Sequence, residues 1–288
     1  MLSKNFGCAV HEGPTQMDLY DGCNSENNSI DEYKPGVTIQ SCSSQGQMWR
    51  IKSRTTGRVC HLLSKLEYQV FLLLDIHPNI IEIKEQYSHD LPLSLKVAFE
   101  LGINHPPQNN QEKLPLTTDF VVVYQGVEAK QIGIYVKYAK DLNNYRTVEK
   151  LLLEKETLAK RNIPLLVITE KDIDTNVLRN IEWFLTADAS QYQLDDAESR
   201  SSNIYEQLQA SSSEKLTQIL ARFDDENQLP AGTHLNELKC LLQLGFLHFD
   251  LNKEFHEFLG SVDLCCTHFI QQYIGSHIIV NASDTILA

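Results

Sequence analysis

The stretch Thr118 to Tyr138, TDFVVVYQGVEAKQIGIYVKY, decides the fold. Thr118 to Tyr124 is a β-branched and aromatic run and predicts a strand. Gln125 to Lys130, with Gly126, reads as a turn, and Ile132 to Tyr138 as a second strand. Alternate residues of a strand share a face. Asp119 therefore points with Val121 and Val123, and Lys137 points away from Ile134 and Val136. A hairpin centred on residue 128 sets Tyr124 against Ile132 and Asp119 against Lys137, with opposed Cβ atoms roughly 5 Å apart. An acid and a lysine then meet at one end of the hairpin. A turn-forming Asp or a plain cross-strand ion pair would explain that much.

N-terminal to the hairpin, Leu62 to Ile76 predicts a helix, with Leu63, Leu66, Val70, Leu73 and Leu74 at helical spacing. Positions 63, 67, 70 and 74 share one face, so Glu67 sits in the middle of an apolar stripe. A buried glutamate is costly unless it is paired, protonated or metal-bound. The alternative is a glutamate at the stripe's edge that reaches water. A cross-strand ion pair accounts for Asp119 and Lys137 but not for Glu67.

The remaining elements complete an α/β pattern. Pro78 and Asn79 end the first helix, and Ile80 to Gln86 alternates as a strand. Residues 88–116, rich in proline, asparagine and glutamine, read as a long loop or insertion. Asn143 to Arg161 predicts a helix with Val148, Leu151, Leu152 and Leu158 on its apolar side, and Leu165 to Thr169 a buried strand. The order is αβββαβ, a mixed sheet whose last strand–helix–strand unit is a parallel crossover, expected to be right-handed. Residues 172–184 read as helical and 186–202 as a linker. Ser213 to Ala221 and Thr233 to Leu244 read as two helices, and Gly245 to Asp250 as a strand. Helix, helix, strand is the outline of a smaller, mostly helical winged-helix-like domain; a small helical protein-binding domain fits as well. The domain reading is thus 1–45 a polar arm, 46–171 the mixed-sheet domain and 172–288 the C-terminal domain.

Composition narrows the class. With 42 % apolar residues over 288 positions the chain can bury ordinary cores. It has no apolar run long enough to span a membrane and no signal-peptide pattern. Seven scattered cysteines suggest a reducing cytoplasm rather than a disulfide framework. Cys8, His11, Cys23 and Cys42 fit no standard zinc spacing; a zinc knuckle there is set against ordinary thiols. No phosphate-binding loop, G-x-S-x-G or H-E-x-x-H motif occurs. The net charge of −13 has the wrong sign for a protein that holds nucleic acid by itself. The segment Arg50 to Lys65 is the exception, carrying Arg50, Lys52, Arg54, Arg58 and Lys65 and no acidic residue. It is either a solvated surface or a set of phosphate contacts.

Two carboxylates and a lysine around one point suit phosphodiester hydrolysis. Mg²⁺ prefers oxygen ligands and keeps several waters, so one or two carboxylates plus substrate phosphate suffice. A lysine beside them orients water or stabilises developing charge.

Longer motifs carry a resemblance. R-T-x-G-R-x-x-H-L-L-S-x-L-E (Arg54 to Glu67), N-I-I-E-I-K-E-Q-Y (Asn79 to Tyr87), T-T-D-F (Thr117 to Phe120), R-T-x-E-K-L (Arg146 to Leu151) and I-P-L-L-V-I-T-E-K (Ile163 to Lys171) are similar to the TnsA family. The wider E…D…x-K pattern resembles restriction-endonuclease-like nucleases. The resemblance covers about residues 46–185. It implies a restriction-endonuclease-like sheet and a Mg²⁺-dependent DNA endonuclease that cuts the 5′ ends of a bacterial transposon. It also implies partners: a TnsB-type transposase that cuts and joins the 3′ ends, and a TnsC-type AAA+ ATPase contacted through the C-terminal region. Glu67 and Asp119 would be metal ligands, Lys137 the catalytic lysine, and Glu149 a residue near the site. Such nucleases usually carry Glu or Gln two residues before the lysine; here it is Tyr135, which leaves the backbone carbonyl of Val136 as the further ligand to one metal. The alternatives are a stand-alone restriction or repair nuclease of the same fold and a non-catalytic scaffold of the transposition complex.

Overall fold

The structure, a computed structural model, describes residues 33–41, 46–106, 116–125, 130–189, 192, 196–210, 214–252 and 264–266. The polar arm up to Tyr33 and the four zinc candidates Cys8, His11, Cys23 and Cys42 lie outside the described residues.

The central sheet has the strand order β3-β4-β5-β6, from β3 (Ile80–Ser88), β4 (Thr117–Tyr124), β5 (Lys130–Val136) and β6 (Leu165–Ile168). β3 and β5 both run antiparallel to β4, and β6 runs parallel to β5. Helix α1 (Lys65–Asp75) precedes β3, and α3 (Tyr145–Ala159) connects β5 to β6. Period-2 alternation divides the side chains between two layers. Phe120, Val122, Ile134 and Val136 share a core with Leu66, Val70 and Leu74 of α1. Val121 and Tyr135 pack with Leu158 of α3 and with Ile163 and Leu165. At Gly133 the helix layer comes so close that a Cβ would lie 2.5 Å from Leu158 Cδ1 and 3.0 Å from Leu165 Cδ1.

The hairpin register differs from the sequence expectation. Tyr124 pairs with Lys130, not Ile132, and Phe120 pairs with Ile134. The strand starts earlier, at Lys130, so the connection is tighter and every pair slips by two residues. A two-residue slip preserves the face of each side chain. Asp119 and Lys137 thus stay on one face but are diagonal neighbours, and Tyr135 takes the place opposite Asp119.

Among the elements absent from the sequence reading, three bear on the architecture. The first is a hairpin of β1 (Trp49–Lys52) and β2 (Val59–Leu62), lying inside the basic stretch. Ile51, Cys60 and Leu62 face the core and Trp49 stacks on Tyr68 of α1 at 4.9 Å, which leaves Arg50 and Lys52 outward and exposed. Asp75 at the end of α1 pins the turn, accepting from Ser53 Oγ at 2.6 Å, Arg54 N at 2.9 Å and Thr55 N at 3.1 Å. The second is α2 (Leu91–Leu101), which replaces the expected loop over 88–116. Its signals are local: Asp90 caps Leu93 N–H, Pro92 falls in the first turn where no hydrogen bond is lost, and Gly102 ends it at φ 66. The third is α5 (Ala197–Ala210), which begins inside the expected linker 186–202.

The C-terminal region is mostly helical. α4 (Thr175–Phe184), α5, α6 (Leu216–Glu226) and α7 (Thr233–Leu244) are followed by β7 (Leu247–Phe249), paired antiparallel with β8 (Leu264–Cys266). Asp224 organises the α6–α7 connection by accepting from Gly232 N at 2.7 Å and His234 N at 3.0 Å. Ile181 and Phe184 of α4 extend the core of α1 toward Leu220, Phe223, Leu238 and Leu241 of α6 and α7. Among the described residues no helix is long and apolar enough to cross a membrane.

Candidate active site

Glu67 lies in the first turn of α1 and is buried at 8 % exposure. Ser64-x-x-Glu67 has the spacing of a capping box, with the glutamate reaching back to the N–H of the residue before the cap. Ser64 Oγ accepts from Glu67 N–H at 3.1 Å, and the Glu67 carboxylate accepts from Ser64 Oγ and Leu63 N–H, both at 2.9 Å. The cap is a structural reason for this glutamate that the helical stripe alone did not reveal. Burial, foremost, and then the negative charge of Asp119 push its carboxyl up to about 7, against the three hydrogen bonds that favour the ionised form.

Asp119 opens the buried part of β4 and is half-buried as a residue, yet its carboxyl is closely packed. Burial pushes it up to about 6, opposed by the Val136 N–H, by Lys137 and Lys150, and by Gln86. The Val136 N–H donates to Asp119 Oδ2 at 2.7 Å. Lys137 leaves the sheet beside it, its own N–H held by Ile168 O at 3.0 Å. Gln86 lies opposite Asp119 in the neighbouring strand and donates through Nε2 to Glu67 Oε2 at 3.0 Å, and its side chain also favours the ionised form of Asp119. The structure therefore brings Glu67, Asp119, Val136 and Lys137 together at one end of the sheet.

Two participants escaped the sequence reading. Gln86 ends the strand pattern with nothing to mark it. Glu154 lies on the buried face of α3 at 2 % exposure, accepts from Thr118 Oγ1 at 3.0 Å, and is held well above the usual carboxylate range by burial and by Asp119. Its signal was available, since it falls between Leu151 and Leu158 on one helical face. The apolar side assigned to α3 was rotated, however: Val148 and Leu152 are exposed, whereas Leu153, Glu154, Thr157 and Leu158 are buried. Glu149, expected near the site, is bound instead by Arg146 at 2.8 Å. Behind Glu154 the Thr118 hydroxyl also hydrogen-bonds His89 Nε2 at 2.8 Å, which extends the buried polar chain from the acid to the imidazole. Burial pushes His89 down to about 4 and keeps it neutral.

Tyr135 is buried against α3 with Val121 and Leu158, where it acts as core. Among the described residues no three His, Cys, Asp or Glu side chains converge as a metal cage. A pair of carboxylates with a backbone carbonyl suits a hard cation that keeps much of its water, and does not suit zinc. Burial raises both carboxyls, and the charge of Asp119 raises Glu67 further, which is the cost a divalent cation would offset.

Comparison with known proteins gives the family. Residues 77–170 match the family model described as TnsA-like endonuclease N terminal, a span that contains Gln86, Asp119, Lys137 and Glu154. Residues 172–251 match the model described as TnsA endonuclease C terminal. The chain is 32 % identical over 239 residues to the transposon Tn7 transposition protein TnsA of Escherichia coli, covering 83 % of this chain and 86 % of that one. The chain belongs to the TnsA family of transposon endonucleases.

Proposed function

We propose that the chain is a Mg²⁺-dependent DNA endonuclease that hydrolyses the 5′ ends of a transposon within a heteromeric transposase. The observation that carries this reading is the buried Glu67–Asp119 pair beside Lys137, a charge arrangement that a folded protein keeps only for a purpose. Glu67 and Asp119 would hold the cation with the Val136 carbonyl. In an extended strand a residue's N–H and C=O lie on the same edge, and the Val136 N–H already faces Asp119. When bound, Mg²⁺ polarises the phosphoryl group and lowers the pKa of a coordinated water. The protein's own part is to hold the scissile phosphate against Lys137, whose ammonium stabilises the charge that builds on the phosphoryl oxygens. Glu154, kept toward its neutral form, supports Asp119 from the helix layer through Thr118. Tyr135 in the core argues for one cation rather than two.

Residues 46–171 would form the catalytic, restriction-endonuclease-like domain and 172–288 a winged-helix-like domain that binds partners. A net charge of −13 favours delivery to DNA by a TnsB-type transposase and a TnsC-type ATPase over stand-alone action. Outward Arg50 and Lys52 are then phosphate contacts close to the cut. Such a protein works in the bacterial cytoplasm. The test is single-turnover cleavage of an end-labelled transposon-end duplex, with both partners, for wild type and Lys137→Ala. Loss of the 5′ cut in the variant and in EDTA supports the reading. A 5′ cut that survives chelation sinks the metal assignment, and one that survives Lys137→Ala sinks the role of the lysine.

A further inference from the structure

Gln86 sits in the edge strand β3 with φ 48, a left-handed backbone that non-glycine residues rarely adopt. Its neighbours pair normally on both sides, Glu85 with Phe120 and Tyr87 with Thr118. The departure is thus one residue wide and falls opposite Asp119. It is held in place from outside: the Gln86 carbonyl accepts Gly36 N–H at 2.9 Å. Gly36 lies so close that a Cβ would clash with Ser88 Oγ and stand 2.8 Å from Thr117 Cγ2.

The side chain is buried at 3 % exposure, and its chemistry fixes which way the amide faces. Oε1 accepts from the Thr117 hydroxyl at 3.3 Å, while Nε2 donates to Glu67 at 3.0 Å and the amide, opposite Asp119 in the sheet, also favours the ionised form of that acid. Carboxylates only accept, so it is the donor side of the carboxamide that serves the two acids. A lysine or arginine here would neutralise the pair and compete with a cation. A neutral donor ties the carboxylates together and leaves both charges available.

We propose that Gln86 is a positioning residue of the metal site, its single carboxamide setting the separation at which Glu67 and Asp119 receive a divalent cation. This rests on the metal-dependent nuclease reading above. The strained backbone is what aims the amide between the two acids.

The experiment uses the full chain and the metal alone: Mn²⁺ binding followed by electron paramagnetic resonance, for wild type, Gln86→Gly, Gln86→Asn and Asp119→Ala. Mg²⁺ titrations of 5′-end cleavage with partners present follow. Glycine adopts φ 48 without strain, which offsets part of the loss of the side chain's bonds to Glu67 and Thr117, so the Gly variant should still fold and melt cooperatively in the absence of metal. Its Mn²⁺ affinity should fall about 10-fold or more. The half-saturating Mg²⁺ for cleavage should rise in parallel, with the rate at saturating Mg²⁺ largely recovered. Asparagine keeps an amide and tolerates the backbone, and should restore part of the affinity. Wild-type Mn²⁺ binding by Gln86→Gly would overturn the proposal, as would equal losses in the Gly and Asn variants together with lowered melting. If Asp119→Ala also binds Mn²⁺ as wild type does, the metal-site reading itself fails. If Asp119→Ala loses Mn²⁺ while Gln86→Gly keeps it, only the role of Gln86 falls.

Discussion

Replacing Glu67 by glutamine should stabilise the metal-free protein at alkaline pH while destroying its response to metal. Burial and Asp119 raise the carboxyl from 4.5 to about 7. Below the unfolded value both states carry the proton and the group is neutral to stability. As pH rises from 4.5 to 7 the unfolded chain loses its proton first, so stability falls, and above about pH 8 the full penalty is present. A shift of this size corresponds to roughly 3 kcal/mol at about 1.4 kcal/mol per pKa unit. Glutamine keeps the shape and still accepts from Leu63 and Gln86, while its NH₂ can donate to Ser64 Oγ. It carries no charge at any pH. In EDTA the variant should therefore melt above wild type at pH 8, by roughly 6 °C or more for a chain of this size, and close to wild type at pH 5. Adding Mg²⁺ at pH 8 should raise the melting temperature of wild type and leave the variant unmoved. A variant that is less stable than wild type at pH 8, or that still gains stability from Mg²⁺, would refute the reasoning.

Three further outcomes follow from the packing and the site. Asp75→Ala strands three donors of the β1–β2 turn, of which Ser53 Oγ is buried, and should cost about 1–3 kcal/mol in urea unfolding. Gly133→Ala should cost about 1–3 kcal/mol by overpacking against Leu158 and Leu165, and a Leu158→Val partner change should recover part of it. Lys137→Met should abolish 5′-end cleavage with a melting temperature near that of wild type, because the side chain is only half-buried and methionine keeps most of its length.

The sheet and its end-on site were legible because their signals are local and strong. The alternation of Thr118 to Tyr138 fixed the faces of Asp119 and Lys137, and the two-residue register error did no harm because the side-chain period is also two. Glu67 stood out as a charge on an apolar stripe, although half of its explanation is the capping box with Ser64. The failures share a cause, which is the weight given to composition over capping. Proline density hid α2, although Asp90, Pro92 and Gly102 mark its two ends. Basic residues hid the β1–β2 hairpin, whose inward Trp49, Ile51, Cys60 and Leu62 are interleaved with the charges. Glu154 was lost through a rotated helix face. Gln86 had no signature in the sequence, since its importance arises from a backbone angle and from two acids that are distant along the chain.

The most direct test of the account is strand-resolved cleavage of transposon ends by the reconstituted transposase in Mg²⁺, comparing wild type with Asp119→Ala. The account predicts that 5′ nicks vanish in the variant while 3′ nicks and partner binding persist. Equal 5′ nicking by the two proteins would contradict it and would leave the scaffold as the reading to pursue.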